Sequence, residues 1–199
     1  MNTSGRWRPK GDEGNLKVNM SYMVIVSELG EVKIVNEPNY TFGSQDNVQR
    51  YAQEENLQPF DTPTSTHGVF LNGAPVVVFG APGGCSSVHE HSALVLNSKL
   101  FLAVGDSVVC FSLSDLKLIW ASVVDDATCF GIYYEPQRTA LISHGELNVA
   151  SLDENGKILW SSSGADIFSE GFRLEEEYIV VTDFNHRNYH INYETGISV

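Results

Sequence analysis

His89-Glu90-His91 is the triplet best equipped for chemistry in this sequence. On a strand, residues two apart point to one face, so the two imidazoles could hold a metal ion between them. A third ligand would have to come from His144, His186 or His190. The other use of the triplet is structural, with both imidazoles hydrogen-bonded to neighbouring loops. Asp126 and Asp166 recur at equivalent positions. Such carboxylates either fix a connection by accepting backbone N–H groups or form a ring that holds a cation. Glu175-Glu176-Glu177 is a run of acidic residues suited to a charged partner. No Ser-His-Asp spacing and no Gly-x-Ser-x-Gly elbow is present. The stretch Gly80-Ala81-Pro82-Gly83-Gly84-Cys85 lacks the lysine of a phosphate-binding loop and leads into no helical pattern. Cys85, Cys110 and Cys129 sit in no nucleophile signature and read as free, buried, reduced thiols. The expectation is no catalytic residue, no metal and no cofactor.

The elements that must position these residues follow a repeat. Gly105 and Gly145, Trp120 and Trp160, Asp126 and Asp166, Gly131 and Gly171, and Gly156 and Gly196 are all 40 residues apart. A fixed period of this length marks stacked or radial supersecondary units. The second copy predicts strands over 131–134, 139–143, 146–152 and 157–160, the last two joined by a turn at Asn155-Gly156. The first copy predicts strands over 93–96, 100–104, 108–113 and 118–123. The third has three strands, over 172–174, 178–182 and 189–193, and only Ile197-Ser198-Val199 for a fourth. One four-stranded sheet cannot bury both faces, so neighbours must stack on it. The expected fold is all-β and β-propeller-like, with about three four-stranded blades of 40 residues. Trp120 and Trp160 should pack between adjacent blades.

The segment from His144 to Trp160, ending Gly156-Lys157-Ile158-Leu159-Trp160, resembles the repeat of pyrroloquinoline-quinone-type (PQQ-like) propellers. Gly105 to Trp120 resembles it more loosely, so the likeness covers the C-terminal half. Its motif is structural, a turn and a packing tryptophan. The quinoprotein dehydrogenases of that family hold a calcium-bound cofactor, and nothing here matches its site. The resemblance therefore implies a fold and carries no activity.

Ahead of the repeats lies a divergent part. Residues 1–20 are polar, lean basic through Arg6, Arg8, Lys10 and Lys17, and read as a flexible tail before a single domain over 21–199. Within that domain, 21–91 is the divergent part and 92–199 holds the repeats. Residues 22–26 and 32–35 form one hairpin, and 68–71 and 75–79 a second around Asn72-Gly73. Ser44 caps an expected short helix over 45–56, with Val48, Tyr51 and Ala52 on one face. The first hairpin is expected to pair with the last blade, or with the open edge of the first repeat blade, because exposed edges invite aggregation.

The formal net charge is −13 over 199 residues. From residue 125 onward, 13 acidic residues face four basic ones, Arg138, Lys157, Arg173 and Arg187. Such a surface repels nucleic acid and anionic membranes and favours a basic protein. No apolar run reaches transmembrane length. The sequence thus points to a soluble cytoplasmic, non-enzymatic interaction module, including the bacterial immunity or inhibitor type. The alternative is a metal-dependent or ligand-binding enzyme built on His89, Glu90 and His91.

Overall fold

The structure is a computed structural model and describes residues 22–199; the tail expected over 1–20 lies outside the described residues. Within them the chain is all-β. The first sheet contains β1 (Tyr22–Ser27), β2 (Gly30–Asn36), β3 (Gln53–Asn56), β4 (Ser65–Leu71) and β5 (Ala74–Ala81), in the order β1-β2-β4-β5-β3. The second contains β6 (Ala93–Leu96), β7 (Lys99–Val104), β8 (Ser107–Ser112) and β9 (Lys117–Val123). The third contains β10 (Cys129–Glu135), β11 (Ala140–Gly145), β12 (Asn148–Leu152) and β13 (Ile158–Ser163). The fourth contains β14 (Gly171–Leu174), β15 (Tyr178–Thr182) and β16 (Asn188–Asn192). Each sheet is a blade, and three apolar cores lie between the four blades. Ile34, Val69 and Phe79 meet Leu102, Val109 and Phe111 in the first core. Phe101 and Cys110 meet Ile132, Leu141 and Leu152 in the second. Ile142 and Val149 meet Ile179, Val181 and Ile191 in the third.

The first blade corrects two expectations. Its two hairpins join each other through β2 and β4, so β1 pairs with neither the last blade nor the first repeat blade. The divergent part is therefore a blade of its own, with residues 37–64 inserted between its second and third strands. The helix expected over 45–56 is absent. Ser44 Oγ accepts the Asp46 N–H and the Asn47 amide donates to the Thr41 carbonyl, so short polar side chains hold turns there instead. Val48, expected on the apolar face, is fully exposed. Gln53–Asn56 instead pairs in parallel with Val77–Gly80 on β5. The pairing with β5 gives this end of the segment backbone partners that a lone short helix, marginal by itself, does not outcompete.

A shared irregularity marks the outer antiparallel strand of the first three blades. Val76, Ile119 and Leu159 are each bulged out of register, and Val77, Trp120 and Trp160 follow them. Four residues before each lies a left-handed residue, Gly73, Leu116 and Gly156. The tryptophans do pack between blades. The Trp120 ring lies where a Cβ on Gly156 would stand 2.5 Å away, and Trp160 bears the same relation to Gly196 at 2.7 Å. The Trp120 indole N–H donates to the Glu154 carbonyl at 3.0 Å, and that of Trp160 to the Tyr193 carbonyl at 2.8 Å. In the first blade Val77 replaces the tryptophan, and the Gln53 amide of β3 reaches the Leu116 carbonyl at 2.7 Å.

Both indoles are half-buried, so truncation costs less than it does in a closed core. Trp120→Ala and Trp160→Ala should each lose about 2 kcal/mol in denaturant unfolding, below the ~3–5 kcal/mol of a fully buried tryptophan. Gly156→Ala meets both a positive φ and the Trp120 ring, and should cost at least about 1 kcal/mol. Unchanged unfolding midpoints for all three variants would refute the inter-blade role.

Candidate interaction face

The alternation of strands fixes two ends for every blade. The connections between blades (82–92, 124–128 and 164–170) and the turns between second and third strands lie at one end. The hairpin turns at 97–98, 136–139, 153–157 and 175–177 lie at the other. Backbone hydrogen bonds between neighbouring blades stiffen the connection face. Cys129 N–H donates to the Gly105 carbonyl at 2.7 Å, Glu146 N–H to Thr128 at 2.7 Å, and Phe168 N–H to Glu146 at 2.7 Å. The glycine-rich stretch is part of this weave. Gly84 N–H donates to the Ala127 carbonyl at 3.0 Å, and Gly83, at φ 95°, leaves no room for a side chain beside that carbonyl.

His89, Glu90 and His91 sit on the first connection. The His89 ring is fully engaged, with Nε2 2.7 Å from the Phe130 carbonyl and Nδ1 accepting the His91 N–H at 3.2 Å. His91 stacks on Tyr133 with centroids 4.7 Å apart, and its Nε2 lies 3.6 Å from the Glu90 carboxylate. Tyr133 continues onto Phe172, and Phe172 onto His144, at 4.5 Å each. The imidazoles thus begin an aromatic stack that crosses three blades. Among the described residues no group of three or more His, Cys, Asp or Glu side chains is placed to hold a metal ion. Cys110 and Cys129 are buried, and burial pushes the Cys110 thiol up to about 11 and raises that of Cys129 further. Cys85 is exposed, contrary to expectation.

The carboxylate that fixes the second connection is Asp125, next to the residue singled out by the repeat. It is buried and accepts the Ala127, Leu147 and Asn148 N–H groups at 2.7, 2.9 and 2.7 Å. Burial nevertheless holds its pKa above the ordinary carboxylate value, against those three donors. Asp126 is exposed and makes no hydrogen bond among the described residues. Asp166 accepts its neighbour's N–H and the Asn185 amide. In the fourth blade Asp183 accepts the Asn185 and Arg187 N–H groups and the Tyr189 hydroxyl. Burial opposes its ionisation, but these donors outweigh it and lower its pKa. Glu175, Glu176 and Glu177 occupy the β14–β15 turn at the far end of the blade, with Glu175 paired to Arg173 at 2.6 Å. The structure gathers His89, Glu90, His91, Asp126 and Asp166 on one face and leaves the glutamate run on the other.

Around the connection face stand Glu37, Asp61, Glu90, Asp106, Asp125, Asp126, Glu146, Asp166, Glu170 and Asp183, with Arg187 the one cation among the described residues there. Asp61, Glu90, Asp126, Asp166 and Glu170 are exposed, as are the phenylalanines Phe60 and Phe184. Lys99, Lys117, Arg138 and Lys157 stand at the opposite end, among the exposed carboxylates Glu28, Asp115, Glu154, Glu175, Glu176, Glu177 and Glu194. Comparison with known proteins adds little to this picture. No family model matches the chain, and no curated protein matches it. A crystal structure of BamB from Moraxella catarrhalis is similar over 67% of this chain and 41% of that one, at 17% identity and a TM-score of 0.43. The chain thus spans under half the length of that protein. The propeller-like fold rests on the blades and cores described above.

Two histidines are buried: His67, which stands in no motif, and His144, weighed from the sequence only as a possible third metal ligand. His67 Nε2 meets the Ser86 hydroxyl at 3.2 Å, while its Nδ1 has no partner among the described residues. His144 lies against Phe172 and Phe130, with Nε2 unpartnered. Burial pushes both down to about 4. An imidazole depressed in the folded state binds its proton more readily when unfolded. Its contribution is intact above about pH 6.5 and is lost as pH falls from there to about 4, at up to ~1.4 kcal/mol per pH unit for each ring. His144→Phe removes one of the two titrations. Urea midpoints at pH 7 and pH 5 should therefore drop less in this variant than in the wild type. An equal drop in both would exclude His144 from the acid response.

Proposed function

We propose that the protein is a non-enzymatic interaction module that binds a basic protein on its acidic connection face. The carrying observation is the sorting of cations: Lys99, Lys117, Arg138 and Lys157 lie at the hairpin end, and among the described residues Arg187 is the one cation beside the exposed carboxylates Asp61, Glu90, Asp126, Asp166 and Glu170 of the connection face. Phe60 and Phe184 stand exposed beside Asp61 and Asp183. Exposed aromatic side chains within a polar surround are what protein interfaces use as anchors. An inhibitor of the immunity type, which covers a basic enzyme, is one relationship this charge would suit. Unpaired thiols fit a reducing compartment, so the reading places the protein in the cytoplasm.

Long-range attraction mainly speeds association, and exposed charges feel one another over about 8 Å at physiological ionic strength. A partner captured from the host should bind more slowly as salt rises, with little change in dissociation. The combined variant Glu90→Gln, Asp126→Asn, Asp166→Asn should slow association about 10-fold at low salt, and keep its folding midpoint because exposed charges contribute little to stability. The variant Glu175→Gln, Glu176→Gln, Glu177→Gln probes the other face. Slowing confined to that second variant would move the interface to the far end of the blades. A rate indifferent to salt and to both variants would refute the charge-based reading.

A further inference from the structure

The four blades treat their outer edges differently. β5 is covered by β3, in the register Gln53↔Val77 to Asn56↔Gly80. β16 is covered by the chain end, through the bridge Ile191↔Ser198 and the Val199 N–H on the His190 carbonyl at 3.0 Å. Among the described residues nothing pairs with the outer edges of β9 and β13. An uncovered edge presents alternate backbone N–H and C=O groups and is a template for another strand unless charges, proline or a bulge blunt it. β13 contains no charged residue and no proline, and exposes Ile158 at 37% and Leu159 at 59%. Its bulge at Leu159 lies before the regular part, Trp160–Ser163. By the shared bulge these four residues are equivalent to Val77–Gly80, the four that receive β3.

We propose that β13 is a docking edge for an extended peptide segment of a partner protein, with a lysine or arginine two residues beyond its paired strand. This rests on the basic-partner reading above and says where that partner attaches. The fold itself supplies the template. Beyond β3, Gln58 places its amide 3.0 Å from the Asp106 carboxylate of the next blade. A segment leaving β13 in the same direction passes Ser163, which lines a cavity of about 390 Å³ together with Asp126, Leu147, Asn148, Asp166 and Ile167. Two carboxylates and no cation line it, so the side chain it suits is cationic. The half-buried Leu147 and Ile167 receive the methylene stem while the carboxylates take the charged head. Of the two open edges, β13 is the one that runs out between two exposed carboxylates. Backbone pairing would give affinity, and the cavity would select the residue.

The test uses the synthetic peptide Thr-Val-Thr-Val-Ser-Lys and the isotope-labelled protein. Amide exchange within Trp160–Ser163 should slow on adding peptide, with shift changes around Asp126, Leu147 and Asp166. Replacing the peptide lysine by glutamine should weaken binding about 10-fold, as should Asp126→Asn with Asp166→Asn in the protein. N-methylation of the second peptide threonine and of the serine, which take the places of Glu55 and of Leu57, whose N–H donates to the Gly80 carbonyl, should abolish the protection, and this control leaves the protein fold untouched. Shifts confined to the connection loops, without protection in β13, would overturn the docking edge and leave the acidic-face reading standing. If lysine-bearing peptides bind nowhere on the protein, both ideas fall. Protection of β13 that grows with protein concentration alone would mean that a second copy occupies the edge, and would overturn the peptide partner.

Discussion

The arrangement depends on one contact, an indole laid on a glycine turn of the next blade. Trp120 lies on Gly156, and Trp160 on Gly196. The turn residue must lack a Cβ because the ring stands in its place, and the backbone is left-handed there as well, at φ 79° and 69°. The indole N–H is satisfied by a carbonyl of the turn region it covers, so an aromatic ring at the edge of the core leaves no polar group unpaired. Each contact thereby fixes the spacing and angle of two blades, and hence which loops share the connection face.

The first junction has to manage without the tryptophan. Leu116 holds the left-handed turn position at φ 53°, which a leucine adopts at a cost of about 1 kcal/mol. Its side chain is pulled into the first core, and its carbonyl receives Gln53. The insertion that brings Gln53 there has a second effect. Tyr51 lies on Gly68 and Phe42 on Gly80, so the outward face of the first blade is roofed by aromatic rings. Tyr51 and Tyr40 then tie the roof down through the Glu37 and Glu54 carboxylates at 2.6 and 2.7 Å. One segment therefore closes an outer edge, replaces an inter-blade hydrogen bond and covers a sheet face.

That economy also explains what the sequence revealed and what it hid. The 40-residue spacing of glycine and tryptophan exposed the three later blades, because both residue types are demanded by the one contact. The first blade lacks the tryptophan and is split by residues 37–64, so its hairpins read as unattached. The helical spacing of Val48, Tyr51 and Ala52 misled because Tyr51 is apolar toward a neighbouring sheet and not toward a helix core. At the connection, the repeat drew attention to Asp126 and Asp166, whereas Asp125 does the structural work. Position 165 holds an alanine, so the repeat carried no mark of that carboxylate. The burial of His67 and His144 was invisible for a different reason: a lone histidine announces burial only through its three-dimensional neighbours.

The acidic character of the connection face has two origins that the structure separates. Turns between strands and between blades leave backbone N–H groups without ladder partners, and a short carboxylate satisfies several at once. Asp125 takes three such groups, and Asp183 takes two with a tyrosine hydroxyl, in sites where a neutral side chain would leave donors orphaned. Part of the net charge is thus a consequence of building turns from aspartate. The remaining charge has no such cause. Glu90 stands with its side chain 85% exposed, and Asp126 makes no hydrogen bond among the described residues. Like charges held close together on one face repel, and folding gains nothing from them. In the proposed interaction, the carboxylates that the fold does not need are the ones left free for a partner, and Asp126 lines the cavity beside Ser163 at the end of β13.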